Sequence, residues 1–471
     1  MRTENTFKAI SPADGSELGR VFVCGEAEVD AAVRSSETAF VSWGKSTFGE
    51  RADRLDQIAD ILKGDLDWFA ENETLDTGKG IGESRLHVNN CINMYRYFAS
   101  VIRTHEDTFI RYDSGSASIV VREPLGVVGL ILPWNAPSML LSWKLAPALA
   151  AGNCAVVKPA SAASMVIINM ALRFQEALPP GVLNVVTGSG ETVGNALAGH
   201  PGIRKISFTG SSAAGSAVGA IAGRNIIPVT LELGGKSASV IFEDANLDRA
   251  LQYAILPIAS SAGQICVSSS RLLVQDSIYD AFTKRLKAKF DGLRVGDPMD
   301  LETQVGPVID KTQFDKVMGY IDGGIAAGAK LLSGGKRVTG GICDKGFYIA
   351  PTLFGGVTPD MAIAGEEIFG PVLSVLRFST EEDAVRIANG TQYGLGAAVW
   401  TKDIYRAMRV SHALEAGTVW VNDYLDNGAG SPFGGYKKSG VGRELNKIVI
   451  DYYSNIKNIS VANVDEAPPI F

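Results

Sequence analysis

Residues 25–110 carry apolar residues at three- and four-residue spacing. In EAEVDAAVRSSETAFVSW and ERADRLDQIADILKGDLDWFAENETLDTGK that spacing gathers them on one face, which predicts helices. Gly78 and Gly80 fall where helices can end, because glycine takes the left-handed conformation at little cost. The period then changes. SASIVVREPLGVVGLILP is rich in β-branched residues and bounded by Gly and Pro, which predicts strands. Short strands and helices alternate from there, as NCAVVKP, MVIINMALRFQEAL, VLNVVTG, KISFTG and SSAAGSAVGAIAG. A second alternating block covers about 236–430, with strands such as ASVIF, RLLVQ and GTVWVN. Strands alternating with helices predict parallel sheets covered on both faces. Two such blocks predict two domains with a cleft between them, and no internal repeat relates them.

Composition narrows the picture by exclusion. The 471 residues are 46% hydrophobic and 20% charged, with a formal net charge of -7. No basic run is dense enough to follow a phosphate backbone, so no nucleic-acid partner is expected. The opening MRTENTFKAI lacks the apolar core of a secretory signal. The most apolar region, Leu125 to Val157, is broken by Pro133, Asn135, Lys144 and Asn153, so no membrane span is expected. A cytoplasmic location follows by default. The five cysteines form no CxxC pair, and the four histidines form no HExxH. Neither a disulfide framework nor a bound metal is expected.

Several local patterns carry chemistry. GSGETVG (Gly188–Gly194) follows a strand but has one residue more than the dinucleotide fingerprint GxGxxG. SFTGSSAAG is the stronger signal. A strand ends near Phe208, Gly210 turns the chain and a helix starts beside Ser211, so N–H groups and the helix dipole can hold a pyrophosphate. Read alone, this could equally be an ordinary strand-to-helix turn. Cys266, in GQICVSSSR, sits among small polar residues that suit a thiol presented on a loop. Cys154 lies inside an apolar strand, Cys91 in a helical pattern, and Cys24 and Cys343 in polar or glycine-rich segments. Glu232, between two leucines in LELGGK, faces a desolvation penalty that raises a carboxyl pKa and suits a base. A paired structural glutamate is the bland alternative.

The patterns gain weight together. PWN (Pro133–Asn135), KP (Lys158–Pro159), FTGS, LELGGK, GQIC, EEIFGP (Glu366–Pro371), WVN (Trp420–Asn422) and SPFGGYKKSGVGRE (Ser431–Glu444) occur in that order. The set closely resembles the NAD(P)-dependent aldehyde dehydrogenase superfamily, in its hydrolytic, non-acylating branch, over about residues 8–460. The 34 residues from Glu232 to Cys266 match the family spacing. The resemblance implies an α/β fold with two Rossmann-like parallel-sheet domains and a small β oligomerisation element. It implies a cofactor-binding domain of residues 1–104 and 124–234, a catalytic domain of 235–434, and an oligomerisation and C-terminal element of 105–123 and 435–471.

It also implies roles. Cys266 is the expected nucleophile, forming a thiohemiacetal and then a thioester; Glu232 is the general base that activates water. The Asn135 amide and the Cys266 N–H are the expected oxyanion hole, where one donor is typically worth ~10²–10³ in rate. Lys144 and Glu444 are expected behind them in proton transfer. For the cofactor, Pro133, Trp134, Leu233, Glu367 and Phe369 are expected at the nicotinamide and its ribose. Gly210, Ser211 and Gly215 are expected at the pyrophosphate, with Lys158 and Ser161 at the adenosine ribose. Many NAD-preferring members carry a glutamate where this chain has Ser161, so NADP⁺ should be accepted beside NAD⁺.

For the substrate, Ala136, Met139, Leu140, Trp143, Ile265 and Val267 are expected to form a roomy apolar tunnel, with Asp426 and Asn427 at its mouth. A medium-sized neutral aldehyde, aromatic or branched aliphatic, is the expected small-molecule partner. EDTFIRYDSGSASIVVREP and KNISVANV resemble oligomerisation strands, so a homodimer or homotetramer is expected. Three alternatives stay open: transfer of the acyl group to CoA, a cysteine hydrolase of esters, and a non-catalytic protein on this scaffold.

Overall fold

The N-terminal helical pattern folds as four helices: α1 (Glu26–Trp43), α2 (Phe48–Gly64), α3 (Leu66–Thr77) and α4 (Ile81–Arg103). Thr47 caps α2 reciprocally: its Oγ accepts the Glu50 N–H at 3.2 Å, and the Glu50 carboxylate accepts the Thr47 N–H at 2.7 Å. Gly78 closes α3 in the left-handed conformation, and Gly80 is the N-cap of α4. Helix α5 (Pro137–Ala150) has proline in its first turn and is buried on nearly every side, in keeping with its apolar sequence.

The computed structural model describes residues 5–113, 115–426 and 428–462. The first alternating block forms a six-stranded sheet, ordered Gly440–Val441, Val229–Glu232, Ile203–Thr209, Val127–Ile131, Cys154–Lys158, Leu183–Val185. Its strands are parallel apart from the Gly440–Val441 edge. The second block forms a seven-stranded sheet, ordered Lys330–Ser333, Thr352–Gly355, Val372–Phe378, Arg271–Gln275, Ala238–Ile241, Gly396–Trp400, Thr418–Val421, with one antiparallel edge at Lys330–Ser333. A third sheet is antiparallel and pairs Ser454–Val461 with Ala117–Pro124, and that strand with Thr108–Arg111.

Side chains alternate across each sheet. Val128 and Leu130 join one buried cluster, while Val127 and Ile131 join another on the opposite face. In the second sheet Leu272 and Val274 share the first of these clusters, and Leu273 faces a third. The largest cluster therefore takes side chains from both sheets and from α2, α4 and α5. Cys91 and Cys154 lie in it, as their apolar settings suggest.

Strand pairings cross the expected domain limits: Tyr436–Lys437, placed in the C-terminal element by sequence, pairs with Tyr393–Gly394 of the expected catalytic domain. Gly440–Val441, placed in the C-terminal element by sequence, pairs with Leu231 and Glu232 in the first sheet. The expected C-terminal element also extends beyond the described residues. Among those residues no helix is long and apolar enough to cross a membrane.

Candidate active site

The turn between the strand Val127–Ile131 and α5 presents Pro133, Trp134, Asn135 and Ala136. The segment between the helix Leu247–Ala259 and the strand Arg271–Gln275 presents Cys266. Glu232 ends its strand. Asn135 and Glu232 thus lie at the C-terminal ends of parallel strands of the first sheet, where ligands bind in open α/β sheets, while Cys266 lies just ahead of a strand of the second sheet.

Two cavities meet at this place. One, of about 190 Å³, is lined by Pro133, Trp134, Asn135, Gly210, Ser211 and Leu233, and by Cys266, Glu367 and Phe369. The other, of about 510 Å³, is lined by Asn135, Ala136, Met139, Leu140 and Trp143, and by Ile265, Cys266, Val267 and Asp426. Asn135 and Cys266 are the two residues common to both linings. Asn427 lies outside the described residues.

The smaller cavity combines a helix N-terminus, a close helix approach and aromatic walls. The helix Ser212–Arg224 begins at its wall, capped by Ser211, whose Oγ accepts the Ala214 N–H at 3.3 Å. Gly215 lets this helix approach Leu233; a Cβ there would lie 2.3 Å from Leu233 Cδ2. The buried Thr209 hydroxyl on the same wall has no hydrogen-bond partner among the described residues. Trp134 and Phe369 meet edge to face at 5.3 Å, with Phe369 held at φ 60°. The Glu367 carboxylate accepts the Gly235 N–H at 2.9 Å, and burial raises its pKa against the pull of Lys316 and Lys236.

Lys158 and Ser161 stand farther along, after the strand Cys154–Lys158. Lys158 Nζ donates to the Pro159 carbonyl at 3.0 Å, and burial pushes its pKa down to about 8. Ser161 Oγ donates to the Gly188 carbonyl at 3.0 Å. A phosphate beside this desolvated ammonium would raise its pKa again.

Electrostatics at the reacting end are set by burial. The Cys266 thiol is pushed up to about 12, first by desolvation and then by the Glu232 and Glu367 carboxyls. The buried Glu232 carboxyl is raised well above the usual carboxylate range by desolvation and by Glu444. Neither of its oxygens has a hydrogen-bond partner among the described residues. Lys144 and Glu444 form a fully buried ion pair, and Ser207 Oγ donates to the same Glu444 oxygen at 3.3 Å. Asn135 Nδ2 donates to the Gln264 carbonyl at 3.0 Å, which leaves its second amide hydrogen for the cavities.

Sequence reasoning missed one whole wall. Glu83, Leu86, His87, Asn90 and Met94 of α4 line the larger cavity. Their recurrence at helical spacing was the available signal. Gln313 and Lys316 were missed beside the smaller cavity. Among the described residues no group of three or more His, Cys, Asp and Glu side chains could hold a metal ion.

Comparison with known proteins agrees with this geometry. The model of the "Aldehyde dehydrogenase family" matches residues 1–459. The chain belongs to that family. It is therefore an oxidoreductase acting on aldehydes with a nicotinamide dinucleotide. It is similar to an aldehyde dehydrogenase of Davidiella tassiana, 42% identical over 97% of this chain and 92% of the relative. Among solved structures it is similar to the betaine aldehyde dehydrogenase of Staphylococcus aureus in complex with NAD⁺, with a TM-score of 0.97 and 36% identity over 99% of this chain and 94% of that one. It is also similar to an NAD-dependent aldehyde dehydrogenase of Sinorhizobium meliloti, with a TM-score of 0.96 and 38% identity over 99% and 93%.

Proposed function

We propose that this aldehyde dehydrogenase oxidises a medium-sized neutral aldehyde, aromatic or branched aliphatic, to its carboxylic acid with NAD⁺ or NADP⁺ and water. The observation that carries this reading is the junction of two cavities at Cys266 and Asn135. An aldehyde in the larger cavity and a dinucleotide in the smaller one would meet over the sulfur.

Cys266 Sγ adds to the carbonyl carbon, forming a C–S bond while the thiol proton leaves to a base. The free Asn135 amide hydrogen and the Cys266 N–H hold the resulting oxyanion. When bound, the dinucleotide supplies the hydride acceptor. Collapse of the oxyanion leaves a thioester on Cys266. Glu232 takes a proton from the water that hydrolyses it, and burial, which raises the carboxyl's affinity for a proton, suits it to act as base. Among the described residues its oxygens have no hydrogen-bond partner, so no such bond has to break when the carboxyl engages the water. Lys144 and Glu444 stand behind it as the route by which the proton leaves.

At the smaller cavity Trp134, Leu233, Glu367 and Phe369 would hold the nicotinamide end, and Gly210 and Ser211 the pyrophosphate. Gly215, on the helix behind that wall, would serve the pyrophosphate, and Lys158 and Ser161, outside the cavity's lining, would hold the adenosine ribose. The substrate cavity carries no Arg or Lys among its lining residues, while Met139, Leu140, Trp143 and Phe433 make it apolar. That disfavours dicarboxylic semialdehydes. Retention of Glu232 beside Cys266 favours water over CoA as acyl acceptor. The exposed Phe109 and Ile456 on the three-stranded sheet favour a homodimer or homotetramer.

Initial rates of nicotinamide reduction over a panel of aldehydes, with NAD⁺ and NADP⁺, test the proposal. Neutral aromatic and branched aldehydes should turn over fastest. Fastest turnover of acetaldehyde or succinic semialdehyde would overturn the substrate class, and a strict need for CoA would overturn hydrolysis.

A further inference from the structure

The backbone just ahead of Cys266 takes a conformation that side chains avoid. Ser261 has φ 46° and ψ 28°, and Ala262 has φ 51° and ψ 41°. Gly263 follows at φ 74°, and a Cβ there would lie 2.2 Å from the Gly370 carbonyl oxygen. Consecutive left-handed residues outside glycine are held only where the surroundings over-determine them.

One carboxylate does much of that holding. Glu83, in the first turn of α4, accepts the Ser261 N–H on Oε2 at 2.8 Å and the Ser261 hydroxyl on Oε1 at 2.5 Å. The Ser261 carbonyl in turn accepts the Gln264 N–H at 3.1 Å and the Gln264 side-chain amide at 2.8 Å. The Gln264 carbonyl accepts the Asn135 amide at 3.0 Å. The line Glu83–Ser261–Gln264 thus ends on the oxyanion donor, and Cys266 is two residues farther along the chain. Glu83 is braced from behind. His87 Nε2 lies 3.8 Å from it, and His87 Nδ1 lies 2.9 Å from the buried Glu73, which also takes Lys79 at 2.7 Å.

We infer that Glu83 is a positioning residue, whose clamp on Ser261 fixes Cys266 and Asn135 against each other. The inference rests on the assignment of Cys266 as nucleophile. Glu83 also faces the substrate cavity, so a simple lining role is the rival explanation.

Three variants of the full chain separate them: Glu83→Ala, Glu83→Gln and Ser261→Ala. For each, kcat and KM are measured on a small and a bulky aldehyde, together with dinucleotide affinity as a check of folding. Glu83→Ala should lower kcat by about 10²-fold, the typical result of displacing reacting groups by an ångström. The loss should be the same for both aldehydes, with dinucleotide affinity unchanged. Glu83→Gln can still accept the Ser261 N–H and should recover part of the rate. Ser261→Ala keeps the N–H bond, leaves α4 intact and should fall between Glu83→Ala and the parent. It decides the matter if Glu83→Ala does not fold. Parental kcat in Ser261→Ala, or a Glu83→Ala loss confined to the KM of one aldehyde, would overturn the clamp. Failure of the nucleophile assignment would show separately, as activity surviving in Cys266→Ala.

Discussion

The Glu232 carboxyl raises the pKa of the Cys266 thiol, yet no hydrogen bond joins the two groups. With the thiol pushed up to about 12, chiefly by burial, the free enzyme holds it protonated at neutral pH. Below its pKa, thiolate rises about tenfold per pH unit. Alkylation of Cys266 by iodoacetamide should therefore climb with pH through about 7–10 without levelling, and should fall as pH drops. Stopped-time labelling with peptide mapping gives the profile. A plateau reached below pH 8 would mean that the thiol is already activated in the free protein.

Lys144 and Glu444 are paired with almost no exposure to solvent. Removing one member strands the other's charge, which typically costs about 3–5 kcal/mol. Lys144→Met should lower the unfolding free energy in urea by that order, and adding Glu444→Leu should restore much of it. Parental stability in Lys144→Met would show that the pair does not need its cation.

Lys158 is desolvated, and its Nζ bonds only the neighbouring Pro159 carbonyl, while Ser161 turns its hydroxyl to Gly188. Ser161 itself brings no carboxylate to repel a 2′-phosphate. Ser161→Glu should cut kcat/KM for NADP⁺ by about tenfold or more, a cost expected for like charges a few ångströms apart, and leave NAD⁺ nearly unchanged. Equal losses with both cofactors would remove Ser161 from the ribose site.

Ala136 lines the larger cavity together with Met139, Trp143 and Phe433. Ala136→Phe should fill that space and depress kcat/KM for bulky aldehydes far more than for acetaldehyde. Uniform loss across the panel would place Ala136 outside the substrate path.

The alternating periods were enough to read both parallel sheets, because buried strands and amphipathic helices write their spacing directly into the chain. The loop motifs at Asn135, Gly210, Glu232 and Cys266 were legible for a different reason: each pairs an unusual residue type with a defined turn. The α4 wall was not, since Glu83 and Asn90 lie far from those motifs in sequence and look like an ordinary solvated helix face. The left-handed pair Ser261–Ala262 carries no residue-type signal either, because neighbouring side chains impose its backbone angles. Phe369 at φ 60° is hidden in the same way.

The central claim is an acyl group carried on Cys266. The most direct measurement is the intact mass of Glu232→Gln mixed rapidly with an aldehyde and oxidised cofactor, followed by peptide mapping. A burst of reduced cofactor and an added mass equal to the acyl group, located on Cys266, are expected. Turnover with no such adduct, or an adduct on Cys24, Cys91, Cys154 or Cys343, would contradict that claim.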